Sequence, residues 1–221
     1  MTGKVIKNWE REPHESIFTR IKEKIHPGPP LKQRLSNSIY RLQVIYHKLQ
    51  NTITKMEQKE KMLFNKCAEA QSLGDSSRAA IYANECAEVR KMIRTLLRSQ
   101  MAVEQVILRL ETIRDFGDVA VQMSPVVLIL QSCKSQLAGI MPEVSYELGT
   151  ISETLNSLVL EAGEAVGAEL DVVVSGEEAQ KILKEASMIA EQKMSEKFPE
   201  IPLNQNQVNK LPTPNPNPDE Q

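Results

Sequence analysis

Three histidines and three cysteines are the residues of this 221-residue sequence best suited to chemistry, and their spacing supports little of it. A di-iron carboxylate site in a helical bundle needs two Glu-x-x-His pairs and two further inward glutamates. Only Glu23-Lys24-Ile25-His26 fits, and Pro27 follows at once. His14 and His47 stand apart from any such pattern. There is no HExxH motif and no Gly-rich phosphate loop. Cys67, Cys86 and Cys133 form no CxxC, and in the helix register derived below Cys67 and Cys86 do not face each other. No disulfide is therefore expected, and each thiol fits as a small apolar group. The sequence predicts no catalytic residue, no metal site and no cofactor, so the chain is not expected to be an enzyme.

What the residues do offer is a charge pattern. Arg34, Arg41, Lys48 and Lys55 recur every seven residues, a basic stripe along one face of a long helix. Net charge is −2, yet residues 1–66 hold 14 Lys/Arg against 6 Asp/Glu, and residues 117–221 hold 6 against 16. This imbalance predicts a basic surface that meets an acidic partner, inside the chain or outside it. Anionic lipid headgroups suit such a stripe. Phosphates of a nucleic acid would satisfy the same charges, but no base-stacking or groove-reading module accompanies them, so a nucleic-acid partner is not expected.

The stripe must be carried by the stretch 30–116. Steps of four and three along its first half select Leu35, Ile39, Leu42, Tyr46, Leu49, Ile53, Met56, Glu60, Leu63, Cys67 and Ala70. The second half gives Ala79, Tyr82, Cys86, Val89, Ile93, Leu96, Gln100, Val103, Ile107, Leu110 and Arg114. Both follow the 3.5-residue period of a coiled-coil seam. Paired first with last, each couple of residue numbers adds to 149, with the mirror point between Gly74 and Asp75. That relation predicts a long antiparallel helical hairpin, roughly 60 Å in length at ~1.5 Å per residue. Glu60, the lone acid on the seam, is expected to snorkel or to pair with a nearby Lys. Met92, Leu97, Met101, Val106 and Leu108 lie off the seam of the second arm, so further cover is required, from downstream helices or from a neighbouring subunit.

The remaining units follow from composition. Residues 1–29 form a basic amphipathic segment, with Val5, Ile6, Trp9, Ile17 and Phe18 as its apolar membrane-facing candidates, closed by Pro27-Gly28-Pro29-Pro30. A segment docked on the hairpin is the competing reading. Residues 117–162 predict shorter packing helices, with a kink or fresh helix start at Ser124-Pro125 and a second helix from Glu143 to about Ala162. Residues 163–176 read as an acidic linker containing Val172 to Val174. Ser175 and Glu178 resemble a capping box opening a helix in 177–198. Residues 199–221 are rich in Pro, Asn and Gln and predict a disordered tail bearing two apolar islets, Ile201-Pro202-Leu203 and Leu211-Pro212-Thr213-Pro214. Aromatics make up 4% of the chain, which suits helix seams and an all-α class. No apolar run reaches the ~18 residues of a membrane-spanning helix, and the N-terminus lacks the pattern of a signal peptide, so a cytoplasmic location is expected.

This order of features resembles the ESCRT-III membrane-remodelling family, and within it the archaeal CdvB-type cell-division paralogues. The resemblance covers nearly the whole chain: basic hairpin, the Phe116-Gly117 joint with its shorter helices, acidic second half and Pro-containing tail. It implies homo-polymerisation and co-assembly with related paralogues, on an anionic membrane at the inner face of the plasma membrane at the division site. It implies a polymer interface on the second arm, where Met92, Leu97, Met101 and Leu108 are the candidates, and a fold-back of the acidic half that holds the subunit closed. It further implies recruitment of an AAA ATPase through an MIT domain, for which Ile201, Pro202, Leu203, Leu211, Pro212 and Pro214 resemble degenerate motifs. The winged-helix domain of the larger CdvB paralogue is not expected after Lys197. The alternative function is a soluble coiled-coil adaptor presenting its tail motif.

Overall fold

The computed structural model describes residues 30–116, 119–166 and 172–202, with the side chains of 116, 119–122, 163–166 and 172–174 outside that description. Among the described residues there are five helices and no strand: α1 (Leu31–Ser72), α2 (Ser76–Phe116), α3 (Val119–Leu137), α4 (Pro142–Val166) and α5 (Val172–Lys197). The chain is all-α. The N-terminal unit 1–29 and the tail beyond Pro202 lie outside the described residues.

α1 and α2 carry their apolar residues at the seam spacing, and those residues are buried: Leu35, Leu42, Leu49 and Leu63 on one side, Val89, Ile93, Leu96 and Leu110 on the other. Each such side chain contributes about 1.5–3 kcal/mol when fully withdrawn from water. Contacts between the two helices run in antiparallel order. Gln43 meets Glu111 near the base, Glu60 meets Arg90 midway, and Lys66 lies over the Tyr82 ring nearer the turn. Towards the turn the seam narrows to Cys67, Ala70, Ala79 and Ala83, a small cluster of its own.

The turn itself is built from two capping motifs sharing one residue. Gly74 has φ +74°, and its N–H and that of Asp75 donate to the carbonyls of Gln71 and Ala70, which closes α1 in a Schellman motif. Asp75 Oδ1 then accepts from the N–H of Arg78 at 3.0 Å and caps the start of α2. Nothing lies within 4 Å of a Cβ built on Gly74, so Gly74→Ala would meet only backbone strain. It should lower stability by about 1–2 kcal/mol, read as a shift of the urea midpoint with an unchanged slope.

α3 is the central helix, burying Met123, Val126, Ile129, Leu130, Cys133 and Leu137. Pro125 lies inside it, so of the two expectations at Ser124-Pro125, a kink or a fresh helix start, the fresh start does not occur. The missing N–H and ring clash cost about 3 kcal/mol, which the apolar burial on both sides of Pro125 outweighs. Pro142 opens α4 at the first helical position, where its lost donor is harmless. The Ser145 hydroxyl ties that start back to α3 by donating to the Lys134 carbonyl at 2.8 Å.

Three further boundaries differ from the sequence reading. α4 continues to Val166 and α5 begins at Val172, so the expected linker 163–176 is reduced at both ends. A single Gly costs a helix only about 1 kcal/mol and a Val less, too little to end either helix. Ser175 consequently sits inside α5 and not at its start, while Glu178 pairs with Arg109 at 2.6 Å. The tail also starts later than residue 199, because Ile201 packs against the hairpin.

α5 and α3 pack on α2, α4 packs on α3, and α4 also touches α1. The second half of the chain is thereby folded back along the hairpin.

Candidate functional site

The basic stripe of α1 faces the acids of α4. Arg34 Nη1 lies 2.6 Å from Glu161 Oε2, and its Nη2 donates to Ser157 Oγ at 2.8 Å. Glu147 serves two cations, Arg41 at 3.7 Å through Oε1 and Lys48 at 3.3 Å through Oε2. Lys55, the last of the row, is exposed and takes no part in these pairs. The geometry follows from spacing. Glu147 and Glu161 are two heptads apart, as are Arg34 and Lys48, so an antiparallel α4 presents its acids in step with the cations. The stripe is therefore covered in part by this chain's own acidic half. These are half-exposed pairs, worth about 0.2–1 kcal/mol each and weakened by salt. They label the interface without being its main support, which is the apolar packing of α3 and α4.

A second row of cations was not recognised in the sequence. On α2, Arg94 and Arg98 reach Glu191 of α5 at 3.1 and 4.0 Å, and Arg109 reaches Glu178. The interleaved apolar residues Leu97, Met101 and Val106 are buried beneath the chain's own helices, and Lys193 Nζ lies 3.4 Å from Met101 Sδ. Of the four residues expected at a polymer interface, Leu97 and Met101 are thus covered in this conformation. Met92 and Leu108 stay 37% and 59% exposed. The missed signal was the four-residue spacing of Arg90, Arg94 and Arg98, hidden by the stronger apolar pattern beside it.

Midway along the hairpin, Glu60 is 5% exposed and does not snorkel. Its partner is Arg90 of α2, not a Lys: Arg90 Nε donates to Glu60 Oε1 at 2.7 Å, and Cys86 Sγ donates to the same oxygen at 3.3 Å. Burial first, then the neighbouring Glu60 carboxylate, pushes the Cys86 thiol up to about 11, and burial pushes Cys133 up to about 12. All three cysteines are buried free thiols, inert as nucleophiles at neutral pH.

Arg90 also gathers the segment that follows α5. Its Nη1 donates to the Pro199 carbonyl at 2.6 Å, and its guanidinium lies 5.3 Å from the Phe198 ring centroid and 5.8 Å from that of Phe64. Lys197 Nζ adds a 2.7 Å pair to Glu57. Residues 197–202 form a strap across the hairpin, and it includes Ile201 and Pro202 of the first tail islet. Leu203, Leu211, Pro212 and Pro214 lie outside the described residues, as do Val5, Ile6, Trp9, Ile17 and Phe18.

Among the described residues no group of His, Cys, Asp and Glu is arranged to hold a metal ion. No described helix is long and apolar enough to cross a membrane.

Comparison with known proteins gives consistent relatives. The chain is 45% identical over 173 residues to Cell division protein B1 of Sulfolobus acidocaldarius, an alignment covering 78% of this chain and 81% of that protein. It is 34% identical over 181 residues to Cell division protein B of the same organism, covering 82% of this chain and 68% of that one. Cell division protein B3 aligns at 29% over 171 residues, 76% of this chain and 96% of the relative. No protein-family model and no solved structure matches the chain.

Proposed function

The chain belongs to the CdvB-type cell-division proteins of the ESCRT-III family, and from that premise we propose that it polymerises on anionic membrane and constricts it during archaeal cell division. The conformation described above is, on this proposal, the closed subunit. The observation that carries this reading is the pairing of Arg34, Arg41 and Lys48 with Glu161 and Glu147. A surface fit for anionic headgroups is occupied by the protein's own carboxylates, in pairs weak enough for a charged membrane to replace.

On this reading the acidic half swings away when the stripe meets lipid. α5 then uncovers Leu97 and Met101, which join exposed Met92 and Leu108 as contacts for neighbouring subunits. Membrane binding is shared with the N-terminal Val5, Ile6, Trp9, Ile17 and Phe18. Chemistry is not part of the role; the work is mechanical. Its place is the inner face of the plasma membrane at the division site, with related paralogues as co-polymers. Recruitment of an AAA ATPase by Ile201-Pro202-Leu203 would first require the strap to lift, whereas Leu211-Pro212-Thr213-Pro214 lies farther along the tail. An adaptor that displays its tail motif needs that motif accessible. Ile201 packed on the hairpin favours the polymer reading instead.

The experiment is negative-stain microscopy of the purified protein with anionic liposomes. Rings, helices or tubulated vesicles are expected, and deleting residues 1–29 should abolish vesicle binding. Protein that stays monomeric beside bare vesicles would sink the proposal.

A further inference from the structure

At the base of the hairpin the four helices α1 to α4 leave an apolar cavity of about 210 Å³ between Leu31, Leu35, Ile113, Met123 and Leu158, with Lys32 and Arg114 at its edge. Leu31, at the mouth, is left 36% exposed although it is a large apolar residue in the first turn of a helix. A dry cavity of ~150 Å³ lined by such side chains holds one benzene molecule. The size and lining therefore call for a single aromatic ring.

The chain supplies one. Residues 1–29 enter the structure at Pro30, immediately beside this mouth, and Phe18 is the only Phe, Tyr or Trp between Trp9 and Leu31. The thirteen steps from Phe18 to Leu31 span up to roughly 40 Å when extended, so reach is no obstacle. Pro27-Gly28-Pro29-Pro30 is turn-forming sequence, suited to sending the preceding segment back over the helix ends. Charge agrees. Phe18 has Glu15 three residues before it and Lys22 four residues after. These suit Lys32 and the Arg114–Asp115 pair, at 3.0 Å, beside the mouth.

We infer that the cavity is the seat of Phe18 in the closed subunit, so that a residue of the membrane anchor is stored inside the fold. The walls give the seat a release mechanism. Leu31, Leu35 and Ile113 belong to the hairpin, while Met123 and Leu158 belong to α3 and α4. Any movement of the folded-back half away from the hairpin removes two walls and sets Phe18 loose for lipid. The inference deepens the closed-subunit reading of the preceding section and rests on it for the release step only.

The test uses the full chain with Trp9→Phe and Phe18→Trp, which leaves one indole, at position 18. Without lipid, its emission should be blue-shifted and poorly quenched by acrylamide. Adding Leu31→Glu, a change at a part-exposed position, puts a carboxylate at the mouth and should shift the emission to the red with full quenching while circular dichroism stays helical. Vesicles of zwitterionic lipid with one-fifth anionic lipid should bind this Leu31→Glu variant more tightly than the single-indole parent. A solvent-exposed indole in the folded, lipid-free parent overturns the inference. So does shielding that grows with protein concentration, which would put a second copy's residue in the seat, or native Trp9 being shielded instead. Should no variant bind vesicles while the introduced indole remains shielded and Leu31→Glu exposes it, the seat stands and the membrane reading falls.

Discussion

Arg90→Met, with Glu60 left in place, is expected to cost the fold about 3–5 kcal/mol, the range for removing one partner of a buried ion pair. Glu60 is almost wholly buried and sits on the seam between α1 and α2. Two of its donors converge on one oxygen, Arg90 Nε and Cys86 Sγ. Without Arg90 a carboxylate would remain in the seam with only a weak thiol donor, and it would either be protonated or draw water between the helices. The double variant Glu60→Leu/Arg90→Met removes both charges and should recover most of the loss, since apolar replacements of buried pairs are often neutral or stabilising. Urea unfolding followed by circular dichroism gives both values. A single variant costing less than ~1 kcal/mol would mean that the pair is solvated in solution. Arg90 also holds Phe198 and the Pro199 carbonyl. The double variant should therefore keep its hairpin yet show faster proteolytic cutting after Lys197, separating the seam role of Arg90 from its hold on the strap.

The second large effect is on membrane affinity. Glu147→Gln removes the one carboxylate that engages both Arg41 and Lys48. A basic residue near an anionic bilayer contributes about 1 kcal/mol. Both forms make those lipid contacts, and the variant is spared the cost of breaking two pairs at about 0.2–1 kcal/mol each, or roughly 2- to 30-fold tighter binding at 1.4 kcal/mol per decade. The gain should shrink as salt rises and the Debye length falls. Stability should drop by the same small amount, because half-exposed pairs are worth under about 1 kcal/mol each. Vesicle co-sedimentation at low and high salt measures it. Equal binding by parent and variant at low salt would show that α4 does not compete with lipid for the stripe.

How far the sequence reached can be seen residue by residue. The seam was legible because a buried face between two helices forces a 3.5-residue repeat, and Leu42, Leu49, Ile93 and Leu96 obey it. The partner of Glu60 was not. The mirror relation sets Val89 opposite it, and the partner is the next residue, whose long side chain reaches across. The basic stripe was visible as a repeat, but its occupants were not, since Glu147 and Glu161 become its neighbours only when α4 is placed antiparallel to α1. The absent fresh start at Pro125 and the errors at 163–176 and at Ser175 share a cause. Local propensity there weighs at most a few kcal/mol, and tertiary packing overrides it. The partners of the α2 arginines and the strap at Phe198 to Pro202 depend on contacts between residues about a hundred positions apart, such as Arg90 with Pro199 and Arg94 with Glu191, which no periodicity within one helix encodes.

Arg90 grips the strap through the carbonyl of Pro199, and a carbonyl is the same on every residue. Side-chain identity is read at the Phe198 ring, at Ile201 and at Lys197, which pairs with Glu57. Pro199 and Glu200 between the two are exposed. Substitution at residue 200 should therefore leave docking intact, while Lys197, Phe198 and Ile201 act as its fixed letters. Sequence drift in this stretch would then be free to tune what the tail says to other proteins without unfastening it from its own hairpin.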